Sequence, residues 1–523
     1  MNGILKPSPV ARLAQAAGLV VAINLLSRIL GFVRDAAIAA TFGAGPETDA
    51  YLVAYTIPYF LQSILGTAFA TVLVPVLTAH LVNGEREEGW RVASAVNNWT
   101  ALMLIFGTIL GILAAPWLVK LLAPGFGPET AELARVLIRI LFFSLPFMGC
   151  GLLLGGILNA GYIFTSPALG PAVSNIVIII TALFFGRRFG IVGLAVGTFL
   201  SFVAFFLIQL PDLQRIGFRY RLTLLPGNAE VRQVGRHLGP VILSLSVIQL
   251  YLATNRFFAS RLAEGSITAL EFGIRLVNLP LGVFVAAAST VIFPALAEQA
   301  ALRRKAEMAR LADRGLALVS LASLPAAAGL VILREPLVRL VFERGAFDAR
   351  ATSLTAIAAM YYALGILAQA AHPILTRAFY ALQDVRTPLI VGLASVGLNT
   401  LLSYFLVGYL GHGGLALANT LAAGVYSLAL YLLLRRELPQ LDGLRLAEKI
   451  LKFGLASLLM AAVVYLGARG VTFFVPGQDP VVLGGKTLLL ISIGAGSFLL
   501  FCRVLRVEEI RVLGTLLASS KQD

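Results

Sequence analysis

Charge is scarce in this chain of 523 residues: 41 Lys plus Arg and 26 Asp plus Glu make up only 13% of it, against about 25% in soluble domains. With 59% hydrophobic residues and a mean hydropathy of +0.89, its apolar surface exceeds what an aqueous fold could hide, which excludes a soluble globular protein. Cysteine is nearly missing. Cys150 and Cys502 both lie in apolar stretches, so they supply neither a disulfide framework nor the paired spacing of a zinc site. Histidine is sparse, with His80, His237, His372 and His412 scattered along the chain. No His/Asp/Glu cluster has metal spacing and no nucleophile sits in a recognisable motif, which argues against an enzyme. The alternating ten-residue segments of a membrane barrel are also absent. A net charge of +15 would suggest nucleic acid in a soluble chain; in a lipid-embedded one it serves topology first, and no nucleic-acid partner is expected.

Long apolar runs are what the sequence has instead. Fourteen stretches of about twenty mostly apolar residues start near residues 15, 50, 94, 133, 165, 191, 238, 267, 314, 352, 388, 414, 447 and 485. The first follows Lys6 and Arg12 as a signal peptide would, but it contains arginines and precedes many more, so it reads as a retained helix. Pro58, Pro75, Pro280, Pro294, Pro325 and Pro373 fall inside runs and predict tilted or kinked helices.

Four pairs of stretches repeat at nearly one offset. ATVLVPVL at 70–77 parallels STVIFPAL at 289–296, and PWLVKLLAPGF from Pro116 parallels PLVRLVFERGAF from Pro336. TSP ending at Pro167 parallels RTP ending at Pro388, and GLAVGTFL from Gly193 parallels GLALANTL from Gly414; the offsets run from 219 to 221. Six spans separate matched elements, and an even number returns the chain to the same side, which makes the halves parallel repeats. The expected fold is an all-α polytopic membrane protein of about 14 transmembrane helices. It comprises two six-helix bundles, residues 1–222 and 223–445, followed by two additional helices and a tail in 446–523. With the N-terminus inside, inside segments hold 25 Lys plus Arg and outside ones 13, the richest inside loops being 211–236, 298–314 and 435–452. Both termini are therefore expected in the cytoplasm.

Three arginines in apolar context need a reason, because an arginine at a helix centre costs at least about 2.5 to 3.5 kcal/mol. The first helix reads NLLSRILGFVRDAAIAATFGAG, with Arg28, Arg34 and Asp35 around Gly31, and the eighth carries Arg275 within EFGIRLVNLP. These helices belong to opposite halves. If both line one wet cleft, three guanidiniums converge on an anion, and their planar forks suit phosphate oxygens. Alternatively, Arg34 beside Asp35 and Glu271 one turn before Arg275 form structural ion pairs or snorkel to the interface. Asp49, in PETDAY, reads on composition as a helix N-terminal cap before it reads as a functional acid.

The stretches SRILGFVRD and FGAGPETDAY, with LGPVILSLSVIQ from Leu238, FFASRLAEGSI to RLVNLP, and FYALQDVRTP from Phe379, closely resemble the signature of the MurJ (MviN) lipid II flippases of the MOP exporter superfamily. The resemblance runs over essentially the whole chain. It implies a fourteen-helix flippase, likewise a monomer, of the bacterial cytoplasmic (inner) membrane. Its partners would be membrane lipids and its substrate lipid II, the undecaprenyl-diphosphate-linked peptidoglycan precursor, carried to the outer leaflet. Its last two helices would shape a groove for the lipid tail. The family's substrate-binding positions fall on Arg28, Arg34, Asp35, Asp49 and Arg275, with Gln62, Glu271 and Asn255 as secondary candidates. In many members the second helix carries an arginine and a glutamate where this chain has Gln62 and Thr67, and an acidic residue precedes the eighth-helix arginine where this chain has Ile274.

No cofactor is expected. Coupling to a monovalent cation or to the membrane potential is left open: Asn399, Ser403 and Asn419 offer oxygen ligands for sodium between the eleventh and twelfth spans but no carboxylate, and helix-packing contacts are their plainer role. A drug antiporter of the same superfamily would need an acidic cavity, which the basic midplane residues disfavour. An exporter of another polyprenyl-diphosphate-linked glycan would use the same arginines.

Overall fold

In the computed structural model the backbone is described for residues 9–474 and 479–509. Lys6 and both chain termini, whose sidedness the charge count predicts, lie outside the described residues. So do the side chains of 9–17, Arg12 among them, and of 66, 70, 240, 241, 243–248, 283–291, 293 and 472–474, which take in much of the LGPVILSLSVIQ and STVIFPAL stretches.

The described residues form helices and turns, with no strand among them. The first half runs α1 (Pro9–Phe42), α2 (Pro46–Val82), α3 (Arg86–Leu122), α4 (Pro128–Phe142), α5 (Ser144–Ala160) and α6 (Thr165–Ile180). A π-helical turn, Thr181–Phe185, leads into α7 (Gly186–Leu207), and the short α8 (Leu210–Arg215) follows. The second runs α9 (Ala229–Ala259), α10 (Ser266–Ala301), α11 (Lys305–Phe342), α12 (Ala349–Ala363), α13 (Ile366–Ala381), α14 (Arg386–Leu410) and α15 (His412–Glu437), before α16 (Gly443–Phe474) and α17 (Pro480–Val504). The duplication recurs in the backbone. Eight of the twelve left-handed residues among those described fall in pairs: Gly43 with Gly265, Gly84 with Arg303, Tyr162 with Gln383 and Gly190 with Gly411, at offsets of 219 to 222. Such φ values are rare outside glycine, so their repetition in register marks equivalent turns.

Nine helical runs among the described residues are long and apolar enough to cross a membrane, and the bent pair α12–α13 makes a tenth. The expected count of fourteen is not reached by this measure. One run, Thr165–Arg215, has 51 residues, about twice what a bilayer needs. It breaks at Gly190, with φ +61°, and α6 packs back on α7. On α3, Met103, Phe106, Leu113 and Trp117 are each more than 60% exposed, as residues facing lipid would be.

The prolines named above lie inside α2, α10, α11 and α13. A 47° bend also separates α12 from α13, at Leu364–Gly365. A helix break frees carbonyls that lipid cannot satisfy, and α15 supplies a donor: Thr420 Oγ1 donates to the Tyr361 carbonyl at 2.8 Å, while Ser427 Oγ ties α15 to α13 through the Ala368 carbonyl, also at 2.8 Å.

The chain packs as two compact units, Met1–Glu264 with Arg344–Phe347, and Gly265–Glu343 with Asp348–Asp523. Packing and duplication divide the chain at different places, 264 against 222, because α9 packs on α2 and α3. Val234 of α9 enters the core of Phe69, Leu73, Leu77 and Trp90. The His80 ring, in the last turn of α2, also sits between Glu85 at 2.9 Å and Glu230 of α9 at 2.7 Å. In the other unit α16 packs on α11, and α17 on both.

Candidate anion-binding site

In the first unit the site grows from α1. Arg34 donates from Nε and Nη2 to Oδ1 of Asp35, at 3.0 and 2.8 Å, and from Nη1 to Oδ1 of Asn175 on α6, at 3.1 Å. Asn175 in turn donates from Nδ2 to the Ser27 carbonyl at 3.1 Å. Asp35 and Asn175 are buried, at 4% and 7% exposure, while the Arg34 side chain keeps 18%. A guanidinium has five N–H donors; three are engaged here, which among the described residues leaves two for a ligand. Arg28 lies six residues earlier on α1, nearly two turns, and is exposed.

Asp49 is not the cap of α2. The capping position is Gly45, without a side-chain cap bond, because Pro46 at the first helical position starts the helix earlier. Asp49 is buried at 4% in the first turn, where a carboxylate complements the positive end of the helix. Gln62 is half-buried on α2, and the exposed Thr67 donates to the Ser63 carbonyl of its own helix. Asn255, on α9, has its Oδ1 buried without a hydrogen-bond partner among the described residues.

In the second unit Arg275 Nη2 lies 2.9 Å from Glu271 Oε1, with side chains 27% and 16% exposed. The ion-pair reading therefore holds for Arg34 and Arg275 alike, each meeting a carboxylate of its own helix. Asn399 and Ser403, on α14, are fully buried, and the Asn399 amide and the Ser403 hydroxyl have no hydrogen-bond partner among the described residues. Helix-packing hydrogen bonds thus do not account for them. Asn419, on α15, is half-buried. No group of three or more His, Cys, Asp or Glu able to hold a metal occurs among the described residues.

Two residues escaped the sequence reading. Asn175 is a lone amide in the apolar run PAVSNIVIII, with nothing local to say what it meets. Arg256 is buried at 5% in the last turn of α9. Its signal was available: a cation one turn before a helix end, where the carbonyls carry partial negative charge.

Long apolar helices with arginine and aspartate side chains among them are those of a polytopic membrane protein. The family description "Lipid II flippase MurJ" matches residues 38–482. A probable lipid II flippase MurJ of Buchnera aphidicola subsp. Acyrthosiphon pisum (strain APS) is 31% identical over 453 residues, covering 85% of this chain and 88% of that protein. A solved structure of lipid II flippase MurJ in an inward closed conformation superposes with a TM-score of 0.80 at 26% identity, over 94% of this chain and 99% of that one. An inward-facing multidrug resistance MATE transporter of the MOP superfamily shares the fold, with a TM-score of 0.65 at 17% identity over 81% of this chain and 98% of that one. The chain belongs to the MurJ lipid II flippase family.

Proposed function

We propose that this chain carries lipid II across the bacterial cytoplasmic membrane by alternating access, with both termini in the cytoplasm, and releases it chemically unchanged. The family match across residues 38–482 carries this reading. A diphosphate cannot cross hydrocarbon unaided, since burying unpaired charge is prohibitively costly. In the first unit Arg28 and Arg34 would take the place of its water, the remaining N–H groups of Arg34 donating to phosphate oxygens; Arg275 is the corresponding cation of the second unit.

In an inside-negative membrane the field drives the anionic headgroup outward, by about 2.3 kcal/mol per charge per 100 mV if it crossed the whole field. Bare arginines would feel the opposite pull in the empty carrier and so aid its return. Pairing of Arg34 with Asp35 and of Arg275 with Glu271 makes that return force smaller than three bare guanidiniums would give. A bound monovalent cation would add to it, and Asn399, Ser403 and Asn419 are the residues to hold one.

The test is replacement of Arg28, Arg34 and Arg275 by alanine, one at a time, in cells depleted of their own flippase. Loss of rescue is expected for each; full rescue by all three variants would contradict the site. A headgroup-cleavage assay on the purified protein should yield no product.

A further inference from the structure

We infer that Asn175 is a positioning residue for anion binding, orienting Arg34 through its side-chain oxygen while anchoring α6 to α1 through its side-chain nitrogen. The inference rests on the proposed role of Arg34. Its ground is the arithmetic of charge. Arg34 and Asp35 are neutral together, so a diphosphate is not drawn to the pair by net charge; it is drawn by N–H groups aimed at it. Direction therefore matters more here than at a lone arginine.

Asp35 engages Nε and Nη2, leaving rotation of the plane to be settled by whatever holds Nη1. Asn175 does so from another helix, 141 residues away in the chain. Its second bond, from Nδ2 to the Ser27 carbonyl, ties the amide to the same helix that carries Arg34, so α1 and α6 hold the guanidinium as one body. Gly31 leaves no side chain between them; a Cβ there would already stand 3.5 Å from Nδ2. An amide suits this position for two reasons. It both accepts and donates, as the two bonds require. It also adds no charge, whereas a carboxylate would set a second anion against Arg34 and compete with the diphosphate for its N–H groups.

The experiment measures binding of undecaprenyl diphosphate, with undecaprenol as the uncharged control, to the full chain in lipid nanodiscs. Wild type is compared with Asn175→Ala, Asn175→Asp, Arg34→Ala and the double variant Arg34→Ala/Asn175→Ala, and thermal unfolding is followed for each. The expected result is diphosphate binding weakened about tenfold by Asn175→Ala and further by the near-isosteric Asn175→Asp, with undecaprenol binding unchanged. In the Arg34→Ala background the Asn175 substitution should add nothing, because its effect passes through Arg34. Equal losses in both backgrounds would show that Asn175 acts on the fold alone and would overturn the inference. So would wild-type binding by Asn175→Ala or Asn175→Asp while Arg34→Ala loses it. Wild-type binding by Arg34→Ala itself would instead overturn the role of Arg34, and the inference with it. If Asn175→Ala fails to fold, the Asn175→Asp comparison decides.

Discussion

At the scale of single residues, the proposed site would depend on arginine as a shape as much as a charge. Arg34 reaches Asp35 with two nitrogens and Asn175 with a third, which a lysine, with one point of charge on a flexible stem, cannot copy. Arg34→Lys is expected to lower transport roughly tenfold, the equivalent of one charge-assisted hydrogen bond; unchanged transport would mean that charge alone suffices. Asn399 and Ser403 pose the opposite case, polar atoms with no protein partner among the described residues. A buried unsatisfied group costs about 1–3 kcal/mol, which a bound cation would offset at the two oxygens, Asn399 Oδ1 and Ser403 Oγ. Sodium should therefore raise the unfolding temperature of the wild type and not that of Asn399→Leu, and an equal response in both would remove these residues from any coupling role.

Among the elements, stability gathers at breaks and turns. The FYALQDVRTP stretch, read above as family signature, is also a turn with a mechanism of its own. Gln383 is left-handed, at φ +63°, and Asp384 Oδ1 accepts from the amides of Arg386 at 2.9 Å and Thr387 at 3.0 Å, capping α14. Hydrogen bonding from the Thr387 side chain and amide holds the Asp384 carboxyl below the ordinary aspartate range. Its contribution is therefore present above that ordinary value, near pH 4, and is lost as pH falls through the lowered one. Asp384→Ala should cost about 1 kcal/mol at neutral pH and nothing in strong acid, as thermal unfolding across pH would show. At the α12–α13 bend, a Cβ at Gly365 would come within 2.8 Å of Thr420 Oγ1, the group that satisfies the Tyr361 carbonyl. Gly365→Val should push it away and lower stability by roughly 1–3 kcal/mol, whereas a stability equal to wild type would show that the bend tolerates bulk.

For the molecule as a whole, the electrical asymmetry of the cycle is the property to measure. Flipping by the protein in sealed vesicles should quicken as the inside-negative potential is raised; indifference to voltage and ion gradients alike would remove the field as a driver.

Much of this protein could be read from its sequence, because lipid imposes a strong local rule. Every span must be apolar and helical, so the membrane class, the helices, the duplication and the rare cations all appear as periodicity and contrast along the chain. Carboxylates one residue and one turn from Arg34 and Arg275 were visible for the same reason, being local. Contacts between distant segments leave no such trace. Only the folded chain decided that Asn175 meets Arg34, that α9 packs with the first half rather than the second, and that a bend falls at Gly365. In each case the partner lies tens to hundreds of residues away, where hydrogen-bond satisfaction and close packing choose it and local pattern has no say.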